Sequence, residues 1–78
     1  MIAARVLAAF KHAVEAAASR PLARPEHPDI PGARHVMFDG FPYLAFYAVN
    51  GDGVVVVAVE YATREYVGRV ASRVAATK

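Results

Sequence analysis

The 78-residue sequence contains no cysteine. That absence excludes a disulfide scaffold, thiolate chemistry and every cysteine-ligated zinc site. Serine and threonine are scarce as well: Ser19, Thr63, Ser72 and Thr77 are the whole set. None sits on a nucleophile elbow, and three lie at or near helix ends, where hydroxyls cap or bond the backbone. The sequence therefore offers no hydrolytic triad. Long apolar runs are missing too. The longest uncharged run, Gly40 to Gly51, is too short to span a bilayer and contains Pro42. Arg5, Lys11 and Glu15 interrupt the alanine-rich start before a signal-peptide core can form. A soluble, cytoplasmic protein with no membrane partner is the expectation.

Other absences narrow the chemistry further. Gly51-Asp52-Gly53 joins two expected strands and precedes no helix, so it is not a phosphate-binding loop. His27 and His35, with Glu26 and Asp29 nearby, have neither helical i, i+4 spacing nor a recognised strand spacing for a metal. They read as a solvated loop cluster, and no metal or cofactor is expected. His12 reads as a solvated helix residue. Glu60 and Glu65 carry nothing that marks them as an acid–base pair.

What is present is a dense apolar chain. Hydrophobic residues make up 56% of it and charged residues 21%, which excludes intrinsic disorder as the main state. The length allows a single domain, residues 1–78. A chain this small buries only roughly 60% of its unfolded surface, so it needs a tight core, a partner, or both. The formal net charge is +2, and arginine supplies seven of the nine cations. That balance suits nucleic acid or an acidic protein without demanding either.

The period of the apolar residues places the elements. Ile2, Val6, Phe10, Val14 and Ala17 recur every three or four residues and predict an amphipathic helix from Ile2 to about Ser19, closed by Pro21. Four of the five prolines fall between Arg20 and Gly32, giving an extended loop with Leu22 and Ile30 as anchors. From Arg34 the period becomes two. Arg34–Phe38, Phe41–Val49 and Val54–Tyr61 read as three antiparallel strands in a meander, turned at Asp39-Gly40 and around Gly51-Asp52. Arg64 to about Ala76 returns to helical spacing, with Thr63 as N-cap, Glu65 in the first turn and Val67, Val70 and Val74 on one face. The fold class is α+β: N-terminal helix, Pro-rich loop, three-stranded meander, C-terminal helix.

Two-residue turns would place Val49 opposite Val54, Tyr47 opposite Val56, Ala45 opposite Ala58, Tyr43 opposite Glu60, Val36 opposite Tyr43 and Arg34 opposite Ala45. One face then holds Leu44, Phe46, Ala48, Val55, Val57, Val59 and Tyr61, the expected core under both helices. The other holds Arg34, Val36, Tyr43, Ala45, Tyr47, Val54, Val56, Ala58 and Glu60. Read as open, it forms a groove floored by Ala45 and Ala58 and walled by Arg34, Tyr43, Tyr47 and Glu60, fit for an aromatic base or a partner's apolar side chain. The plainer reading pairs Arg34 with Glu60 and lets the tyrosines cover the sheet. On the last helix, Arg69 and Arg73 are i, i+4 neighbours away from the valine stripe, a solvated face or an anion-gripping edge.

The run from Pro31 to Val59, with its strand-opening Arg34, the Tyr43-Leu44-Ala45-Phe46-Tyr47 strand, an acidic-glycine turn and a valine-rich strand, resembles the sheet of the RelE/ParE toxin family. The resemblance covers residues 1 to about 66. It implies a toxin of a type II toxin–antitoxin pair, bacterial and silenced by a cognate antitoxin. RelE-like members of that family cleave messenger RNA on the ribosome, and ParE-like members inhibit DNA gyrase. Arg34 matches the family's strand-opening arginine, and Arg64 matches the arginine of its basic segment, here Tyr61-Ala62-Thr63-Arg64-Glu65. Two departures point away from catalysis: Ala58 stands where the family carries a last-strand arginine, and Tyr61 replaces its histidine. The family's first strand and first helix have no counterpart, which is expected to leave a sheet edge bare for another strand or a homodimer. The expectation is a shortened, ParE-like toxin acting by binding, with Arg34, Tyr43, Tyr47, Glu60, Tyr61 and Arg64 as binding residues and no catalytic ones. Its alternatives are a ribosome-dependent mRNA endonuclease, with Arg34 and Arg64 on the phosphate and Tyr47 stacking a base, or an inactive dimerising or antitoxin-binding remnant.

Overall fold

The computed structural model describes residues 2–51, 53–62 and 65–76, and the backbone alone of Ile2. Its elements run α1 (Ile2–Ser19), β1 (Arg34–Met37), β2 (Tyr43–Asn50), β3 (Gly53–Tyr61) and α2 (Val67–Ala76). The three strands form one antiparallel sheet in the order β1-β2-β3. The architecture is α+β, with the expected elements in the expected order. The expected cap Thr63 lies outside the described residues.

The helices take opposite faces of the sheet, and this corrects the expectation of one covered and one open face. Val36, Ala45 and Tyr47 pack with Ala13 and Ala17 of α1. Leu44, Phe46 and Val57 pack with Val70 and Val74 of α2 and with Ile30 of the loop. The physical cause lies in the second face itself. Val36, Ala45, Val54 and Val56 are too apolar a set to leave in water, and the alanine stripe of α1 lets the helix approach them closely. Phe10 extends that contact, its ring 5.7 Å from Phe38.

The loop before β1 is ordered by its own hydrogen bonds. His27 N–H donates to the Ala33 carbonyl at 2.8 Å, Ile30 N–H to the His27 carbonyl at 3.2 Å, and Gly32 N–H to Glu26 Oε1 at 2.7 Å. These bonds press Ile30, which is fully buried, into the α2 side of the core. Leu22, the other expected anchor, is 69% exposed. It falls within the turn that leaves α1, where Ala23 N–H bonds to Arg20, upstream of the segment that the His27–Ala33 bond holds to the sheet.

Two departures from ideal turns set the registers. Phe38 N–H donates to the Tyr43 carbonyl, so residues 39–42 connect β1 to β2 in place of a two-residue turn. Pro42 has no N–H to give the ladder, which favours the longer connection. Arg34 therefore pairs with Tyr47 and Val36 with Ala45. The shift is by two residues, so it leaves each side chain on its expected face.

Between β2 and β3 the expected pairs Val49–Val54 and Tyr47–Val56 hold, and a bulge then follows between Phe46 and Tyr47. Val57 is the extra residue, and beyond it Ala45 pairs with Val59, Leu44 with Glu60 and Tyr43 with Tyr61. The bulge exchanges faces for the end of the strand. Val59 and Tyr61 go to the α1 side, while Ala58 and Glu60 turn to the α2 side.

Candidate functional site

The bulge and the two-sided burial divide the six expected binding residues. Tyr47 is 1% exposed under α1, and its hydroxyl has no hydrogen-bond partner among the described residues. It cannot stack a base from that position. Arg34 is turned into the molecule: its guanidinium donates to the Arg24 carbonyl and lies 3.8 Å from Glu26. It thus clamps the start of β1 to the proline-rich loop and does not meet Glu60. Arg64 lies outside the described residues.

Tyr43, Glu60 and Tyr61 do come together. The Tyr43 and Tyr61 rings meet edge to face at 5.5 Å, a favourable aromatic geometry. With Glu65 and Arg69 these three line a shallow depression of roughly 720 Å³ at the end of β3. Glu60 takes two hydrogen bonds from Arg69, Nη2 to Oε1 at 2.7 Å and Nε to Oε2 at 3.3 Å. This fork holds the Glu60 carboxyl below its usual range and raises the Arg69 guanidinium, with burial of Glu60 acting the other way.

A second groove, roughly 530 Å³, continues from this depression along the strand. Ala58, Val59 and Glu60 form its strand side, and Gly68, Arg69, Ser72 and Arg73 its helix side. Gly68 has open space where a Cβ would stand, so the helix wall is low there. Arg73 lies one helical turn beyond Arg69 and also lowers the Glu60 carboxyl. Among the described residues no ion pair holds Arg73.

The two-residue-turn register puts Glu60 on the face away from both helices, so its fork with Arg69 is a departure from that expectation. The sequence carries no signal for it, because the four valines Val54 to Val57 read equally well on either face.

His27 and His35 belong to a packed cluster and not to a solvated one. The His27 ring stands 5.7 Å from His35, 6.1 Å from Phe46 and 5.9 Å from Tyr66. Its Nδ1 accepts the Asp29 N–H at 3.1 Å, and its Nε2 lies 3.4 Å from the Tyr66 hydroxyl. A nitrogen that accepts an N–H carries no proton, so the neutral ring is protonated on Nε2, the atom facing Tyr66. The described residues hold no group of histidines and carboxylates large enough for a metal ion.

No family, curated protein or solved structure matches this chain. The site must therefore be read from its own chemistry. No described helix is long and apolar enough to cross a membrane. Among the described residues the groove runs along a strand that pairs with β2 alone, and Arg69 and Arg73 on its helix side face Glu60, with Glu65 also acting on Arg69.

Proposed function

We propose that this chain acts by binding a protein partner, as the ParE-like toxin of a type II toxin–antitoxin pair that a cognate antitoxin neutralises. The observation that supports binding over catalysis is the commitment of Arg34 to the Arg24 carbonyl and of Tyr47 to the core. An endonuclease would need a guanidinium free to neutralise charge on a scissile phosphate and a ring free to stack a base. Ala58 supplies no cation to replace Arg34 from the last strand. The surface left for a target, gyrase or ribosome, is the end of β3 with Tyr43, Tyr61 and the α2 arginines.

Colony-forming units after induced expression in a bacterial host, with and without the neighbouring gene, test the toxin. Loss of colonies that the neighbour rescues is the expected result. Unchanged counts with folded protein present reject it and leave a partner-binding module. Purified ribosomes that yield cut mRNA with the native chain, but not with Arg34→Ala, would instead support the endonuclease.

A further inference from the structure

We propose that His27 and His35 form an acid-sensitive latch on the proline-rich loop. While both rings are neutral they hold residues 26–33 against the sheet, and a proton taken up by the pair releases that segment and, with it, Arg34. This goes beyond the binding reading above and does not depend on it.

The two rings come from different elements and meet over one buried side chain. His27 belongs to the loop and His35 to β1. Their centroids lie 5.7 Å apart, and they pack on Phe46 of β2 at 6.1 and 5.5 Å. Phe46 is fully buried. Tyr66, just before α2, closes the far side, 5.9 Å from the His27 ring and 5.1 Å from Phe46. The loop thus reaches the core through an imidazole set between the sheet and the start of α2. A neutral imidazole packs there as an aromatic ring, whereas an imidazolium must give up water to do so.

The surroundings do not offset a charge on the pair. The loop brings Arg24, Glu26 and Asp29 to this side, and β1 brings Arg34. Glu26 accepts the Gly32 N–H at 2.7 Å and stands 3.8 Å from Arg34. β2 contributes the Phe46 ring, and the approach to α2 contributes the Tyr66 hydroxyl. On the same face, Glu60 of β3 acts on Arg69 and Arg73 of α2, and Glu65 acts on Arg69. Among the described residues neither imidazole has a carboxylate within ion-pair distance. Burial, then His27, then Arg24 make His35 a weaker base than a free histidine.

A proton on His27 also breaks a bond that shapes the loop. Its Nδ1 accepts the Asp29 N–H at 3.1 Å. Both nitrogens of an imidazolium are donors, so the charged ring would present N–H to N–H at that point. Tyr66 faces Nε2, which carries its proton in either state, and the loss falls on the Asp29 bond. Pro28 and Pro31 have no N–H to replace it. The backbone bonds of His27, Ile30 and Ala33 and the Gly32 bond to Glu26 all run within residues 26–33. The segment is therefore fixed to the rest of the molecule chiefly by the His27 ring, by buried Ile30 and by Arg34. A stretch so sparsely tied opens without the sheet. Opening uncovers the side of Phe46, Val70 and Val74 that Ile30 covers, and it removes both partners of Arg34, the Arg24 carbonyl and Glu26.

Amide hydrogen exchange of the isotope-labelled full-length chain, followed by NMR from about pH 7.5 to about pH 5, tests the latch. Exchange rates are first corrected for their intrinsic pH dependence. Protection of the Asp29, Ile30 and Ala33 amides should then fall at least about tenfold across that range while that of β2 and β3 holds. His27→Asn supplies an oxygen that accepts the Asp29 N–H in an Asx turn and takes up no proton. Its loop should match the native one at neutral pH and stay protected in acid. His35→Phe keeps a ring on Phe46 and leaves one imidazole, and its loop should lose less protection than the native one. Loop amides that stay protected in the native chain at about pH 5 overturn the proposal. So do loop and sheet amides that lose protection together, which marks global unfolding. An acid response in His27→Asn equal to the native one overturns it as well, by assigning the step to another group. The first two outcomes are read on the native chain and stand whether or not a variant folds.

Discussion

Glu60 and Arg69 close the first turn of α2 onto the C-terminal end of β3 through a two-pronged fork, with oxygen–nitrogen distances of 2.7 and 3.3 Å. The carboxyl is held below its ordinary value of 4.5 chiefly by that hydrogen bonding, so folding favours its ionised form. The contribution is therefore fully present above pH 4.5 and fades as the pH falls through the lowered value. Arg69→Gln should reduce the acid sensitivity of unfolding in that range. Chemical denaturation of both chains at neutral pH and at acid pH measures it, and equal acid sensitivity would reject the role given to the fork. The exposed Arg69 side chain makes the effect small.

His35 gives a second pH dependence, at higher pH. Burial, then His27 and then Arg24, lower its affinity for a proton from the ordinary value of 6.5. Below that value the unfolded chain takes up the proton before the folded one does. Stability should fall as the pH drops through 6.5 and level off below the lowered value. His35→Gln should remove this step and leave the carboxylate step in place. Thermal unfolding followed between pH 5 and pH 7.5 distinguishes the two. The same midpoint shift in both chains would mean that another group carries it.

Tyr47→Phe should fold at least as well as the native chain. The native hydroxyl is buried beneath α1 without a hydrogen-bond partner among the described residues, and such a group costs about 1–3 kcal/mol. Removing it should raise the unfolding free energy by about 1 kcal/mol while the ring keeps its packing against Ala45 and Val36. Urea denaturation reads the change. A loss of stability would show that the hydroxyl is paired in solution. An equal growth phenotype in the variant would separate Tyr47 from any activity the chain has.

Gly32→Ala should destabilise the chain. The glycine has φ +88°, which an L side chain rarely adopts, and a Cβ would sit 3.4 Å from Val74 Cγ1. The left-handed backbone costs a side-chain-bearing residue about 1–2 kcal/mol. The loss should appear in the midpoint of denaturation without a change in its slope, because one added methyl barely alters the surface exposed on unfolding. A neutral outcome would mean the loop relaxes away from α2.

The elements were legible in the sequence because each depends on local pattern. The period of Val6, Phe10 and Ala17 set α1, the Asn50-Gly51 turn set the second hairpin, and Val70 and Val74 set the buried stripe of α2. The strand faces were legible only up to Val57. A bulge depends on how a strand twists against its neighbour, and no single strand's alternation reveals it. One extra residue therefore moved Glu60 to Arg69 and Tyr61 onto Tyr43. The covering of Tyr47 was missed for a different reason. Two tyrosines and an arginine drew the reading towards an exposed face, although Val36, Val54 and Val56 beside them outweigh that polarity. Arg34 was placed on the right strand, but the loop that captures it is ordered by backbone hydrogen bonds that prolines and histidines do not announce.

The bulge has a genetic consequence as well. Val54 to Val57 are four identical residues in a row, so loss of any one of their codons yields the same protein. That shorter chain would pair Tyr47 and Phe46 with adjacent residues of β3, and Leu44 would still face Glu60. The fork to Arg69 would survive the deletion. What would vanish is one valine from the core beside Phe46 and the kink that interrupts the edge. A single in-frame slip in this repetitive stretch would thus trade a kinked edge for a straight one without touching a charged residue.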